Sequence, residues 1–421
     1  MPRHAAFIVN KKGRTSMRKQ TLENGVRVVV HPMNHTRSVS IGVWIEVGSR
    51  YETPEQAGMA HFIEHMLFKG TKTRSAKDLA IAFDRIGGNS NAYTSKEQTC
   101  YYTRVLDRYA LQAIDLLADM LWNSVFDPEE MEREKQVIAE EIHMVEDTPD
   151  DCVHEYLWET IFQSHPLAQP ILGTQETVAS FTREQVVDFY KKAYHPSRVI
   201  ISIAGNVDAA LIKHIEEQFG TPNWELQELP AIIPGTFHRG DIQKEREIEQ
   251  VHVTLAWPSP SVLDSDIYAI VLLQTMLGGS MSSRLFQSIR EEKGLAYSIY
   301  CYQTSYVDSG VFAIYGGTSK DQLNDLLEAV HECLAEVATH GFTEEELEDA
   351  KTQIEANLYL SLESSTTWMN RLARSEILYG TQQDVESYLQ KYRAVTCEDI
   401  LRVSQMFTDK PAKSIIQPYS S

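Results

Sequence analysis

The chain of 421 residues contains no unbroken apolar run of about 18 residues, the length a membrane-crossing helix needs, so nothing in it reads as a membrane span. Positive charge is in short supply. Lys and Arg number 39 against 59 Asp and Glu, a net charge of −20, which argues against nucleic acid or an anionic lipid surface as partner and leaves basic peptides or plain solubility as its use. The five cysteines (Cys100, Cys152, Cys301, Cys333 and Cys397) are scattered and show no Cys-x-x-Cys spacing. Neither a disulfide framework nor a thiolate metal site is expected, and a reducing, cytoplasmic setting fits. Gly278-Gly279-Ser280 lacks the Gly-Lys-Ser/Thr ending of a phosphate loop and reads as a helix-initiating turn, so no nucleotide is expected. The first 22 residues carry no acid but include Arg3, Lys11, Lys12, Arg14, Arg18 and Lys19. We read residues 1–16 as a disordered extension, with a mitochondrial transit peptide, and hence a matrix location, as the minor alternative.

What is present is enough chain for two cores. A turn at Asn24-Gly25 leads to a strand ending near His31, and Ser38 to Val47 alternates as a second strand. Helices are expected at 77–85, 107–121, 128–147, on to about 164, and near 182–193, with a Tyr- and Thr-rich strand over 89–102 and another strand over 199–204. Prolines at 222, 230 and 234 mark 221–240 as a linker. Beyond it the order returns: a strand over 250–257, helices over 268–277 and 283–292, then strands over 296–315. The expected class is α+β, two duplicated domains (17–220 and 241–421), each a mainly antiparallel sheet flanked by helices.

The chemistry concentrates in residues 58–70. His61 and His65 stand one turn apart on a single helical face, Glu64 lies beside them, and Phe62, Ile63, Met66 and Leu67 can pack inward, with Gly70 placed to stop the helix in a left-handed cap. Two imidazoles at this spacing can reach one Zn²⁺, and Glu64 is better placed to take a proton from a metal-held water than to bind the metal. In a chain with 14 histidines, two that simply fall four apart remain the alternative, and a third ligand is needed. In the helix 129–147, Val137, Ile138, Met144 and Val145 suggest an apolar stripe that carries Glu134 and Glu141, while Glu140 faces solvent. An acid on such a stripe is costly unless paired or bound to metal. Glu141 becomes the candidate ligand and Glu134 a partner for a ligating histidine; hydrated acids at the edge of the stripe are the alternative.

His61-Phe-Ile-Glu64-His65, followed after 75 residues by Glu141 within Glu-Arg-Glu-Lys-Gln-Val-Ile-Ala-Glu-Glu, resembles the pitrilysin-type zinc metallopeptidases (the inverzincin His-x-x-Glu-His pattern), and within them the bacterial and mitochondrial processing peptidase branch. The resemblance implies zinc held by His61, His65 and Glu141, with Glu64 as general base and Glu134 supporting the site, in a duplicated, clam-like fold. It further implies that Asn91, Ala92 and Tyr93 form an edge strand to which unfolded peptide adds, and that Arg290 and Tyr297 of the second half assist at the metal. The implied activity is zinc-dependent endopeptidase action on unfolded or presequence-like peptides by a dimer, formed with itself or with an inactive relative. A non-catalytic partner subunit of a related peptidase or assembly complex is the alternative.

Overall fold

The computed structural model describes residues 17–419, so the predicted extension 1–16 lies outside the described residues. Two compact units emerge, and the chain visits each more than once. The first runs to Ile142 and adds Pro170–Ile232 and Leu360–Gln382; the second takes His143–Gln169, Ile233–Tyr359 and everything from Gln383. The stretch 221–240, expected as the linker, holds neither helix nor strand, and the units divide within it.

In the first unit six strands, β1 (Arg18–Thr21), β2 (Arg27–Pro32), β3 (Ser38–Ile45), β4 (Asn89–Thr94), β5 (Thr99–Leu106) and β6 (Val199–Gly205), lie in the order β1-β2-β6-β3-β5-β4. Period-two alternation assigns their faces: Val28 and Val30 of β2 join the main core under the helices, whereas Val29 joins a second cluster on the opposite face. The central strands β3 and β6 are buried on both faces and accordingly read as near-continuous apolar runs. The main core lies beneath four helices, α1 (Met59–Met66), α2 (Ala76–Ile86), α3 (Ala110–Asn123) and α4 (Pro128–Glu146), together with helices later in the unit. The opposite face is covered by a helix from far along the chain, Ser365–Tyr379, whose Met369, Leu372 and Ala373 meet Val29, Trp44, Cys100 and Ile200. Hydroxyl contacts accompany the packing: Ser40 Oγ and Ser365 Oγ lie 2.8 Å apart, and Ser202 Oγ donates to the Met369 carbonyl at 2.6 Å.

The second unit has five strands, β7 (Asp241–Arg246), β8 (Val251–Ser259), β9 (Ser298–Ser305), β10 (Gly310–Thr318) and β11 (Ala412–Pro418), in the order β7-β11-β8-β10-β9. Here too a helix from the chain's other half, α5 (Pro149–Phe162), covers one face, packing Leu157, Trp158 and Ile161 on Ala256, Val311 and Ala313. Apart from β1, which has no counterpart in the second sheet, the two sheets match strand for strand. In the first, β2 is parallel to β6 and the pairs β6-β3, β3-β5 and β5-β4 are antiparallel; in the second, β7 is parallel to β11 and β11-β8, β8-β10 and β10-β9 are antiparallel. The fold is the duplicated α+β arrangement expected, each copy a mainly antiparallel sheet between helical layers.

Several local readings change. The single strand over 89–102 is a hairpin, β4 and β5, broken at Ser95–Gln98, where the Ser95 N–H and hydroxyl both reach the Gln98 carbonyl at 2.8 Å. Gly70 does not cap α1: the helix stops at Leu67 in right-handed geometry, and Gly70 (φ 121°) instead opens a bridge to Ser75. The buried face of α4 is Met131, Glu134, Ile138 and Ile142, while Val137 and Met144 are 45% and 65% exposed. Residues 131, 134, 138, 141 and 142 follow the 3.6-residue period, and 137 and 144 fall off it. Finally, Phe286–Glu292 winds as a π-helix, with the Lys293 N–H reaching back to the Ser288 carbonyl.

Candidate metal centre

The metal helix is positioned from its N-terminal end. Gly58 precedes α1 at φ 92°, and a Cβ there would stand 2.5 Å from the Leu172 carbonyl oxygen, so only glycine allows this close approach. The first-turn donors are met by the buried Glu52, whose carboxylate accepts from Gly58 N–H (2.9 Å) and Ala60 N–H (2.6 Å). Burial pushes the Glu52 carboxyl up to about 8, opposed by those two N–H groups and by Lys96. The preceding backbone is tied to the hairpin: Ser49 and Arg50 N–H donate to the Ser95 and Lys96 carbonyls at 3.1 and 2.7 Å, and the Arg50 guanidinium meets Glu97 at 2.6 Å.

On the helix so held, His61 Nε2 and His65 Nε2 approach to 3.1 Å, and Glu141 Oε2 of α4 lies 3.8 and 3.7 Å from them. Among the described residues these three form the one group of metal-type donors within mutual reach, all within 4.8 Å. Tetrahedral zinc with bonds of about 2.0–2.1 Å separates its donors by about 3.3 Å, so the set fits a zinc-sized ion with little adjustment. At His61 the proton state fits as well. Burial, and then the neighbouring His65, hold the His61 imidazole down to about 3, leaving it neutral with a lone pair to give. His65 is lowered by burial, but Glu134, Glu141 and Glu64 outweigh that and raise it. Its Nδ1 is bound at 2.8 Å by Glu134 Oε1, and Lys69 Nζ holds the other oxygen of Glu134 at 2.6 Å. Burial opposes the charge on Glu134, but His65 and Lys69 prevail and lower its pKa. Neutral imidazole, oriented through its second nitrogen by a carboxylate, is the arrangement metal ligands require.

Glu64 shares the face but points elsewhere: Thr94 at the end of β4 donates its hydroxyl to Glu64 Oε2 at 2.5 Å. Burial raises the Glu64 carboxyl, partly offset by that hydroxyl. β4 itself is the last strand of its sheet. Ser95–Gln98 closes the hairpin as a hydrogen-bonded pair, and such pairs alternate, so the backbone groups of Ala92 and Thr94 point off the open edge. The Ala92 N–H is met there by the Asn91 carboxamide oxygen at 2.9 Å, and Tyr93 is exposed. Arg290 and Tyr297 belong to the second unit, where the guanidinium lies 5.0 Å from the Tyr297 ring centroid and the ring is 79% exposed. The parts played by Glu52, Lys69 and Thr94 escaped sequence reading. Thr94 belongs to the edge-strand stretch that the sequence singles out, but its contact with Glu64 was not foreseen; an acid six residues ahead of Gly58 carries no comparable signal.

Two imidazoles one helical turn apart and a carboxylate from a second helix are a donor set suited to a metal ion, with a further carboxylate beside them. Comparison with known proteins places the chain in a family. Residues 27–175 match the family described as Insulinase (Peptidase family M16), and residues 180–354 match the Peptidase M16 inactive domain. The chain is 45% identical over 404 residues to the uncharacterized zinc protease YmxG of Bacillus subtilis, covering 96% of this chain and 98% of that one. It is 38% identical over 426 residues to an uncharacterized zinc protease of Streptomyces coelicolor, covering 99% and 93%. In fold it is similar to a protease from Helicobacter pylori (TM-score 0.89, 23% identity, 96% and 99% covered) and to a putative M16-like peptidase from Alicyclobacillus acidocaldarius (0.84, 24%, 96% and 98%). The chain belongs to peptidase family M16.

Proposed function

We propose that this chain is a zinc endopeptidase that cuts unfolded or presequence-like polypeptides. The observation that carries the reading is the convergence of His61, His65 and Glu141 on one point, with Glu64 beside it. His61, His65 and Glu141 would hold the zinc, which would supply a Lewis acid and acidify water. Glu64 would be the base that accepts a proton from the attacking water and passes it to the leaving amine. Glu134 keeps the His65 ring in register through Nδ1. The open edge at Ala92 pairs an extended peptide by main-chain hydrogen bonds, displacing the Asn91 carboxamide. Arg290 and Tyr297, held together by their cation–π contact, keep in this reading the assisting role that the family resemblance implies. A dimer with itself or with an inactive relative, in the cytoplasm, belongs to the same reading, and among the described residues no helix is long and apolar enough to cross a membrane.

Cleavage of a quenched, unstructured, moderately basic peptide by wild type and Glu64→Gln tests it, with zinc measured in both. Wild type is expected to cut and the variant to lose about 10²–10⁴ in rate while each holds one zinc per chain. Zinc in both proteins with no cutting of any peptide by wild type would favour a non-catalytic partner.

A further inference from the structure

Thr94 occupies an unusual junction. It is the last residue of the edge strand β4, two residues beyond Ala92, and its hydroxyl is the hydrogen-bond donor on Glu64 Oε2 at 2.5 Å. As a β-branched residue it holds few side-chain rotamers, so its hydroxyl goes where the strand sends it. The strand end is fixed from several directions: Thr99, opposite Thr94 on β5, donates its hydroxyl to the Val47 carbonyl at 3.0 Å, and the turn after Thr94 is tied to residues 49 and 50. Those residues lead into Glu52, which holds the first turn of α1, the helix that carries Glu64. The path therefore closes on itself, from Glu64 through Thr94 and the hairpin turn to Glu52 and back along α1.

We infer that Thr94 is a positioning residue for Glu64, fixing one carboxylate oxygen so that the other is presented to the reacting water, and that it ties this orientation to the strand where peptide adds. The inference rests on the endopeptidase reading above. A hydrogen bond to a charged group is worth enough to change a rate about ten- to a hundredfold when it acts on the reacting group. Thr94→Val keeps the shape and removes the donor; Thr94→Ser keeps the donor.

Wild type, Glu64→Gln, Thr94→Val and Thr94→Ser would be assayed on the quenched peptide with zinc content measured. Thr94→Val is expected to lose about ten- to a hundredfold in kcat with KM within about twofold and zinc unchanged, and Thr94→Ser to recover to within about threefold of wild type. In thermal unfolding of the metal-free protein, the Tm shift caused by Thr94→Val is expected to vanish in a Glu64→Ala background. If wild type and Glu64→Gln behave as proposed but Thr94→Val turns over like wild type, or Ser and Val lose equally, the Thr94 role is overturned alone. Equal Tm shifts in the two backgrounds overturn it as well. A wild type that cuts nothing overturns both readings.

Discussion

Glu52 is a buried acid that two backbone N–H groups keep in place, and its environment makes a pH signature. Its folded-state pKa, pushed up to about 8 from an ordinary value of 4.5, means that the folded chain retains a proton the unfolded chain has released. The contribution to stability is therefore greatest below about pH 4.5 and is lost as pH rises toward about 8. Denaturant unfolding of wild type from pH 5.5 to 8.5 should show this loss, and Glu52→Gln, which cannot ionise, should flatten it. At the low end the variant should be the weaker by about 1–3 kcal/mol, because its amide nitrogen faces a backbone donor it cannot accept from. Parallel curves for the two proteins would mean that Glu52 does not titrate in this window. Residues such as this were invisible in the sequence, whereas His61, Glu64 and His65 were readable because helical spacing and ligand chemistry make the same demand within five positions. Glu141 was readable only once a face could be assigned, and the face chosen was partly displaced: Val137 and Met144 are solvent-exposed, while the true stripe runs through Met131, Glu134 and Ile138. Apolar residue type is a weak guide on a helix rich in acids, and periodicity is the better one.

At the scale of elements, the β4–β5 hairpin does more than complete a sheet. Its turn lies so close to Gly48 that a Cβ there would stand 2.1 Å from the Ser95 carbonyl oxygen and 2.7 Å from the Gln98 nitrogen, both of them backbone. Backbone cannot swing aside as a flexible side chain would, so Gly48→Ala must push the turn outward and take the end of β4 with it. The expected outcome is a loss of about 1–3 kcal/mol in stability, together with a fall in peptide turnover at unchanged zinc content; a variant as stable and active as wild type would show that the hairpin tolerates the shift. Sequence reading merged this hairpin into one strand because Tyr and Thr continue through it, and Ser95-Lys96-Glu97-Gln98 contains neither Gly, Pro nor Asn to announce a turn. The π-helical winding of Phe286–Glu292 escaped for a related reason: its side-chain pattern differs too little from that of an α-helix over two turns.

For the whole molecule the decisive feature is the exchange of helices between chain halves. Sequence order could reveal two copies of one strand plan and a proline-bearing link between them, but a helix that packs on the sheet of the other copy has the same amphipathic pattern as one that packs on its own. The consequence is that the units cannot be separated by cutting the chain where they divide. A fragment ending at Ile232 contains all six strands of the first sheet but lacks Ser365–Tyr379, the cover for Val29, Trp44, Cys100 and Ile200. It also lacks Glu376, 1% exposed in the intact chain, which meets Lys19 at 2.8 Å and Arg27 at 3.6 Å. Such a fragment exposes an apolar face and leaves Lys19 without its carboxylate, while Arg27 keeps Glu46, so it should aggregate or bind hydrophobic dye when produced alone. The complementary fragment from Ile233 lacks α5 and should fare likewise. Produced together, the two should form a soluble complex that retains about one zinc per pair, because both exchanged helices are restored. An isolated first fragment that is soluble, monomeric and unfolds cooperatively would show that the borrowed helix is dispensable, and that each unit's stability rests on the helices of its main core alone.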